Sequence, residues 1–225
     1  MLADRLRRAW IPSAVVAVSR WRQPQRLLWG KHKPLRLELF FAFDDPYAAI
    51  ALPGLLRLIA QRPVQLQLYP LLTRGIAQDP AAQARAQQAL IDASRLARRV
   101  QQPWYRHAAL SAEDCAFLAH WCEAARDQSA QQAAFAAEAL QLLWQYSEGP
   151  LNRQPYAELY RRLLHREPPQ AQACMAALAA NAQRLLKKGH WESPALWLAG
   201  EWFFAHERLP QIAARLDELN ARVGS

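Results

Sequence analysis

Residues 35–52 read LRLELFFAFDDPYAAIAL, and this stretch decides the class of fold. Leu35, Leu37 and Leu39 alternate with Arg36 and Glu38 before the run turns apolar through Phe40, Phe41 and Phe43. The pattern predicts a strand that becomes buried toward its C-terminal end. Asp44-Asp45-Pro46 follows at once. Asp45 can cap a helix, and Pro46 suits the first helical position, where a missing amide hydrogen leaves nothing unpaired. That helix is expected to run toward Arg62-Pro63 with a kink at Pro53-Gly54. VQLQLYPLL at 64–72 alternates again, so strand, helix and strand form a parallel crossover unit.

Further along, the period becomes helical. Residues 81–100 carry Ala and Leu, with Arg85, Arg95, Arg98 and Arg99 on other faces. Ser111 and Asp114 predict a capping box for a helix over 112–125, with Cys115, Leu118, Ala119 and Cys122 on its apolar face. Residues 130–146 align Phe135, Ala139, Leu142, Leu143 and Tyr146 ahead of Gly149-Pro150. Pro155 opens a short helix, and Pro168-Pro169 leads into another with Ala171, Met175, Leu178, Ala182 and Leu185, closed by Lys187, Lys188 and Gly189. The sheet returns as ALWLA (195–199) and WFFA (202–205) around a tight turn at Gly200-Glu201, and a last helix carries Leu209, Ile212, Leu216 and Leu219 on one side. The two sheet pieces must meet to bury their apolar faces, so the reading is an α/β domain over 35–222 with a helical insertion at approximately 80–188.

Composition sets outer bounds. At 225 residues, 52% apolar and 21% charged, the chain has material for a substantial core and is not disordered. No run reaches the roughly 18 apolar residues of a membrane span. The three cysteines, Cys115, Cys122 and Cys174, make no C-x-x-C pair. Seven residues along a helix separate Cys115 from Cys122 by about 10 Å, beyond the roughly 4–7 Å between α-carbons of a disulfide. They read as core residues, and a reducing, cytoplasmic setting is expected. The six histidines form no metal-binding motif, so no metal is expected, and no phosphate-binding glycine loop is present.

The net charge of +9 is unevenly placed. Residues 1–36 hold nine Lys and Arg against Asp4 alone, which is +8, and the remainder of the chain carries +1. The arm over 1–34 mixes Arg with Trp10, Trp21 and Trp29, a composition suited to an anionic membrane surface, at which the protein would be peripheral. Packing of the tryptophans on the body is the other principal reading. Nucleic acid lacks a recognisable fold to support it, and a signal peptide is disfavoured by Pro12, Ser13 and the later arginines.

FFAFDDPYAAIAL, IDASRLARRV (91–100) and GHWESPALWLAGEWFFAHERLPQIAARL (189–216) together resemble the DsbA-like branch of the thioredoxin superfamily. The resemblance is nearer to 2-hydroxychromene-2-carboxylate isomerases and kappa-class glutathione transferases, and it covers 35–220. It implies a thioredoxin-like fold, a cis proline at Pro194, and a cleft between the Asp45 turn and the Pro194 loop. It also implies glutathione as ligand and, by analogy with relatives, a homodimer. The motif is degenerate: Asp45 stands where the family has its reactive Ser or Cys, and Ala48 holds the second redox position. Thiolate exchange needs sulfur at these places, so dithiol oxidoreductase activity is not expected.

Asp45 is the candidate catalytic residue, as a general base, with helix capping and a plain binding contact as its other readings. Asp44 reads as a turn residue or ion-pair partner. Tyr47, Ser193, Pro194, Ala195, Glu207 and Arg208 are the candidate ligand-binding residues implied by the resemblance, and His206 is expected to face solvent. The function expected is a non-redox module binding a thiol compound, a peptide or a protein partner. A glutathione-dependent isomerase or transferase using Asp45 is one alternative, and a membrane-surface interaction protein using the basic arm is another.

Overall fold

A computed structural model describes residues 34–76, 78–146, 151–170 and 172–224. The basic arm over 1–33, Gly149-Pro150 and Ala171 lie outside the described residues. Strand β1 (Leu35–Ala42) pairs parallel with β2 (Val64–Leu71), Leu35 facing Val64 and Ala42 facing Leu71. Helix α1 (Ala48–Ile59) makes the crossover. On its other side β1 pairs antiparallel with β3 (Ala195–Leu198), which pairs antiparallel with β4 (Glu201–Phe204). The sheet order is β2-β1-β3-β4, so the two ends of the chain do meet around β1.

Between β2 and β3 run α2 (Ala82–Arg99), α3 (Ala112–Ala124), α4 (Ser129–Gln145), α5 (Gln154–Leu164) and α6 (Met175–Lys187), and α7 (Leu209–Gly224) follows β4. Ser111 caps α3 as expected, its Oγ accepting from the Asp114 N–H at 3.1 Å and donating to the Asp114 carboxylate at 2.7 Å. The period of two along β1 splits the core. Leu37, Leu39 and Phe41 join the large cluster that includes α1, α3, α4, α5 and α7, while Phe40 and Ala42 pack with Tyr69, Leu71, Leu185 and Ala195 under α6. Glu38 lies on the α6 side and is buried, meeting Arg184 at 2.8 Å and Lys188 at 2.7 Å.

Three local expectations change. The helix after the aspartates starts at Ala48 rather than Pro46, because Pro46 and Tyr47 form a turn closed by Ala48 N–H donating to Asp45 O at 3.1 Å. α1 includes Pro53 and Gly54. A Cβ at Gly54 would stand 2.6 Å from Leu209 Cδ1 of α7, so the glycine lets that leucine pack close on α1. The inner stripe of α6 is Leu178, Asn181 and Leu185, not Met175 and Ala182: Asn181 is drawn inward by bonds from its amide to Pro70 O (3.0 Å) and Glu123 (2.8 Å). The β3–β4 turn is Ala199-Gly200, both with positive φ, the backbone signature of a type I′ hairpin.

Trp144 ties the insertion to the first strand. Its indole N–H donates to Phe43 O at 3.0 Å across 101 residues of sequence, and its ring stacks on Trp104. Trp144→Phe removes the donor and leaves a buried carbonyl unpaired, so we expect a loss of about 1–3 kcal/mol in urea unfolding. An unchanged midpoint would show that the bond does not hold the junction.

Candidate functional site

Parallel pairing delivers the C-terminal ends of β1 and β2 to one edge of the sheet, and antiparallel pairing brings the N-terminal end of β3 to the same edge. Ligands of open α/β sheets sit outside such strand ends. The three connections meeting here are the 43–47 turn, residues 72–76, and the loop before β3. Ser193-Pro194 is a cis peptide, and the buried Ser193 Oγ accepts from the Ala42 N–H at 3.0 Å. Asp45 and the Pro194 loop therefore adjoin, on the side of the molecule where the sequence places a cleft.

The two aspartates differ in how they are satisfied. Asp44 accepts from Thr73 Oγ1 and from the Arg74 backbone N–H, each at 2.9 Å. Burial nevertheless pushes its pKa above the ordinary carboxylate value, against those donors. Asp45 is wholly buried, and its Oδ1 accepts from the Tyr47 N–H at 3.1 Å. Arg74 Nη1 is 3.9 Å away, and Asp45 Oδ2 has no hydrogen-bond partner of normal geometry among the described residues. Burial pushes the Asp45 pKa up to about 7, with the Arg74 charge and the nearby Ser193 hydroxyl acting in the opposite sense. Asp45 thus satisfies the Tyr47 N–H in the turn ahead of α1, and its second oxygen is left over.

Tyr47 is half-buried, donates to Asp92 Oδ2 on α2 at 3.0 Å, and stacks on His206 with ring centroids 4.1 Å apart. His206 does not face solvent: its side chain is 8% exposed, and the stack on Tyr47 is what buries it. Burial lowers its pKa, and its Nδ1 has no partner among the described residues. Glu207 is exposed, 3.7 Å from His206 Nε2, and Arg208 is exposed with its backbone N–H bonded to Phe204 O. Ala195 is buried in the sheet opposite Phe40 and Phe204. Pro194 O accepts from the Ala205 N–H at 3.1 Å.

Beside the turn lies a cavity of about 170 Å³, walled by Asp44, Thr73, Arg74, Leu90, Trp144 and Glu192 among others. None of Asp45, Tyr47, Ser193, Pro194, Ala195, Glu207 or Arg208 is among the residues that wall it. Trp191 is 57% exposed and Trp197 packs on Trp202, so neither plugs this space. The residue that sequence reasoning missed is Arg74. It lines the cavity, lies 5.6 Å from the Tyr47 ring centroid, and leaves Nη1 buried without a hydrogen-bond partner. Its signal was positional: Thr73-Arg74-Gly75 follows the buried end of a parallel strand. Asp92 was missed as well. Among the described residues no group of three or more His, Cys, Asp and Glu could hold a metal ion, and no helix is long and apolar enough to cross a membrane.

The raised pKa fixes a sign for the effect of pH. The folded state holds the Asp45 proton to about pH 7 and the unfolded chain releases it near 3.8. The contribution to stability is full below pH 3.8, falls between 3.8 and 7, and is absent above. Asp45→Asn does not titrate, so its stability relative to the parent should rise from pH 4 to pH 8 by up to about 4 kcal/mol. Denaturant unfolding at both pH values measures this, and a difference independent of pH would contradict the burial of the charge.

No protein-family profile and no curated protein matches the chain. Solved structures do. A 2-hydroxychromene-2-carboxylate isomerase superposes with TM-score 0.61 and 17% identity, covering 85% of this chain and 100% of that one. The cytosolic disulfide reductase DsbM from Pseudomonas aeruginosa gives 0.60 and 17%, covering 84% and 100%. A probable DsbA oxidoreductase from Streptomyces coelicolor gives 0.60 and 13%, covering 83% and 90%. At such identities the likeness speaks for architecture: the chain has the DsbA-like thioredoxin fold, in the form shared with 2-hydroxychromene-2-carboxylate isomerase.

Proposed function

We propose that the chain is a non-redox DsbA-like module that binds a thiol-bearing peptide in the cleft at the Asp44–Tyr47 turn, with glutathione as a small member of that class. The observation that carries the reading is Asp45 itself, a fully buried carboxyl in the turn, with Ala48 after it and no sulfur in either place. Disulfide exchange requires an accessible thiolate. Cys115 and Cys122 are buried, and burial holds both well above the ordinary thiol pKa. Cys174 is partly buried and shifted in the same direction. Binding is supported by Arg74 Nη1, a buried polar atom of a cavity-lining residue that a ligand can satisfy. The cavity admits one group of a ligand rather than a whole tripeptide, so most of the peptide lies across its mouth. A cytoplasmic location, suited to free cysteines, and attachment of the 1–34 arm to an anionic membrane belong to the same proposal.

A second reading rests on the Asp45 pKa. A carboxyl poised at about 7 can take and return a proton at neutral pH, as a glutathione-dependent isomerase or transferase would require.

Calorimetry with reduced glutathione tests the first reading. We expect saturable binding, weakened at least tenfold by Arg74→Ala, and no reduction of insulin disulfides. Absence of binding would overturn it. Supplying 2-hydroxychromene-2-carboxylate with glutathione separates the second: turnover that collapses in Asp45→Asn would move the protein to the enzymes.

A further inference from the structure

The cavity and the buried carboxyl of the turn share one cation. Two of the described residues that line the cavity are arginines, and they differ in what answers their charge. Arg85 pairs with Asp79 at 2.8 Å, and Asp79 is held in turn by the Ala81 N–H at 2.9 Å. Arg74 has no such pair. Its Nη1 stands 3.9 Å from Asp45 Oδ1, longer than a hydrogen bond, and is buried without a hydrogen-bond partner among the described residues. Asp45 is wholly buried and does not line the cavity, whereas Arg74 does. The guanidinium is therefore open to two partners, Asp45 within the protein and whatever occupies the cavity.

The surroundings choose the group that enters. Leu90, Leu110 and Trp144 give the cavity apolar walls, beside which a charge is weakly screened. A planar carboxylate meets a guanidinium through charge-assisted, fork-like hydrogen bonds. A phosphate dianion fits less well, because Asp44 and Glu192 also line the space and repel a second negative charge. The remaining groups around Asp45 and Arg74 are already answered or uncharged. Asp44 accepts from Thr73 Oγ1 and the Arg74 N–H, and Asp92 accepts from Tyr47. Burial and Asp92 keep the Tyr47 phenol protonated, burial keeps the His206 imidazole beside Glu207 neutral, and Ser193 carries no charge.

We propose that Arg74 receives a carboxylate of the ligand in this cavity and that the ligand displaces Asp45 as the partner of the guanidinium, so that Asp45 takes up a proton as the ligand binds. The ligand brings one negative charge and solvent supplies one proton to the Asp45 carboxyl, so the charge of the site is unchanged. Two carboxylates cannot both be stabilised by one cation away from water, and the one that can protonate in place is Asp45. The inference rests on the peptide-binding reading above and adds to it the group recognised and the control of its binding by pH.

Calorimetry of reduced glutathione with the full-length chain, in two buffers of different ionisation enthalpy, counts the protons. From pH 6 to pH 8 the uptake should rise toward one proton per site while the affinity falls about tenfold. Asp45→Asn meets the same ligand ionisations with nothing to protonate at position 45, so both changes should vanish in it, its fold being checked by circular dichroism. Two analogues locate the carboxylate: glutathione as its glycinamide, and glutathione lacking the α-carboxylate of the glutamyl residue. One of them should bind at least about tenfold more weakly and without proton uptake. The proton count and the analogues use the wild-type chain, so they decide the matter even where the variant does not fold. Binding without proton uptake, uptake that persists in Asp45→Asn, or both analogues binding as glutathione does would each overturn the inference and leave the peptide-binding reading in place. Glutathione that does not bind at all would overturn both.

Discussion

The removal of two adjacent carboxyl groups from water at the end of β1 is the constraint around which this molecule is organised. A buried carboxylate is costly unless donors surround it. Asp44 receives them from the loop that follows β2, a hydroxyl and a backbone N–H, so the parallel pairing of β1 and β2 and the satisfaction of Asp44 are one arrangement. Asp45 receives only the Tyr47 N–H and a guanidinium at the limit of contact. The consequence is a proton retained to about neutral pH in the turn from which α1 departs.

This arrangement separates architecture from chemistry. The overall architecture is shared with an isomerase and with disulfide oxidoreductases of low sequence identity. One scaffold can host unrelated chemistry, because reactivity belongs to a site rather than to a fold. In this chain the turn carries the Asp45 carboxyl, and the nearest cation comes from the β2–α2 loop rather than from the turn itself.

What could be read in advance follows the range of the forces involved. The strands, the crossover and the Ser111 cap were legible because alternation and capping are encoded within a few residues. The start of α1 was misplaced because the Asp45 carboxylate serves the Tyr47 N–H two residues on, so a turn precedes the helix. Met175 satisfied the helical period as well as Leu178 did. Only the inward pull on Asn181 from Pro70 and Glu123, both distant in sequence, turned the helix so that Met175 faces water. His206 was misjudged for the same reason, since the ring that buries it is Tyr47. Asp45 and the Pro194 loop were correctly placed side by side through resemblance, whereas Arg74 required the strand topology itself.

The Ala199-Gly200 turn bears on this last group of residues. Alanine at φ +47 occupies left-handed backbone space, a conformation that costs an L-residue with a β-carbon roughly 1–2 kcal/mol. The hairpin holds that conformation because β3 and β4 close on either side of it. From β4 the chain passes directly to Ala205, tied to the Pro194 carbonyl, and to the imidazole lying on Tyr47. A two-residue corner at the sheet margin thus fixes the point from which β4 carries the imidazole back to the first turn.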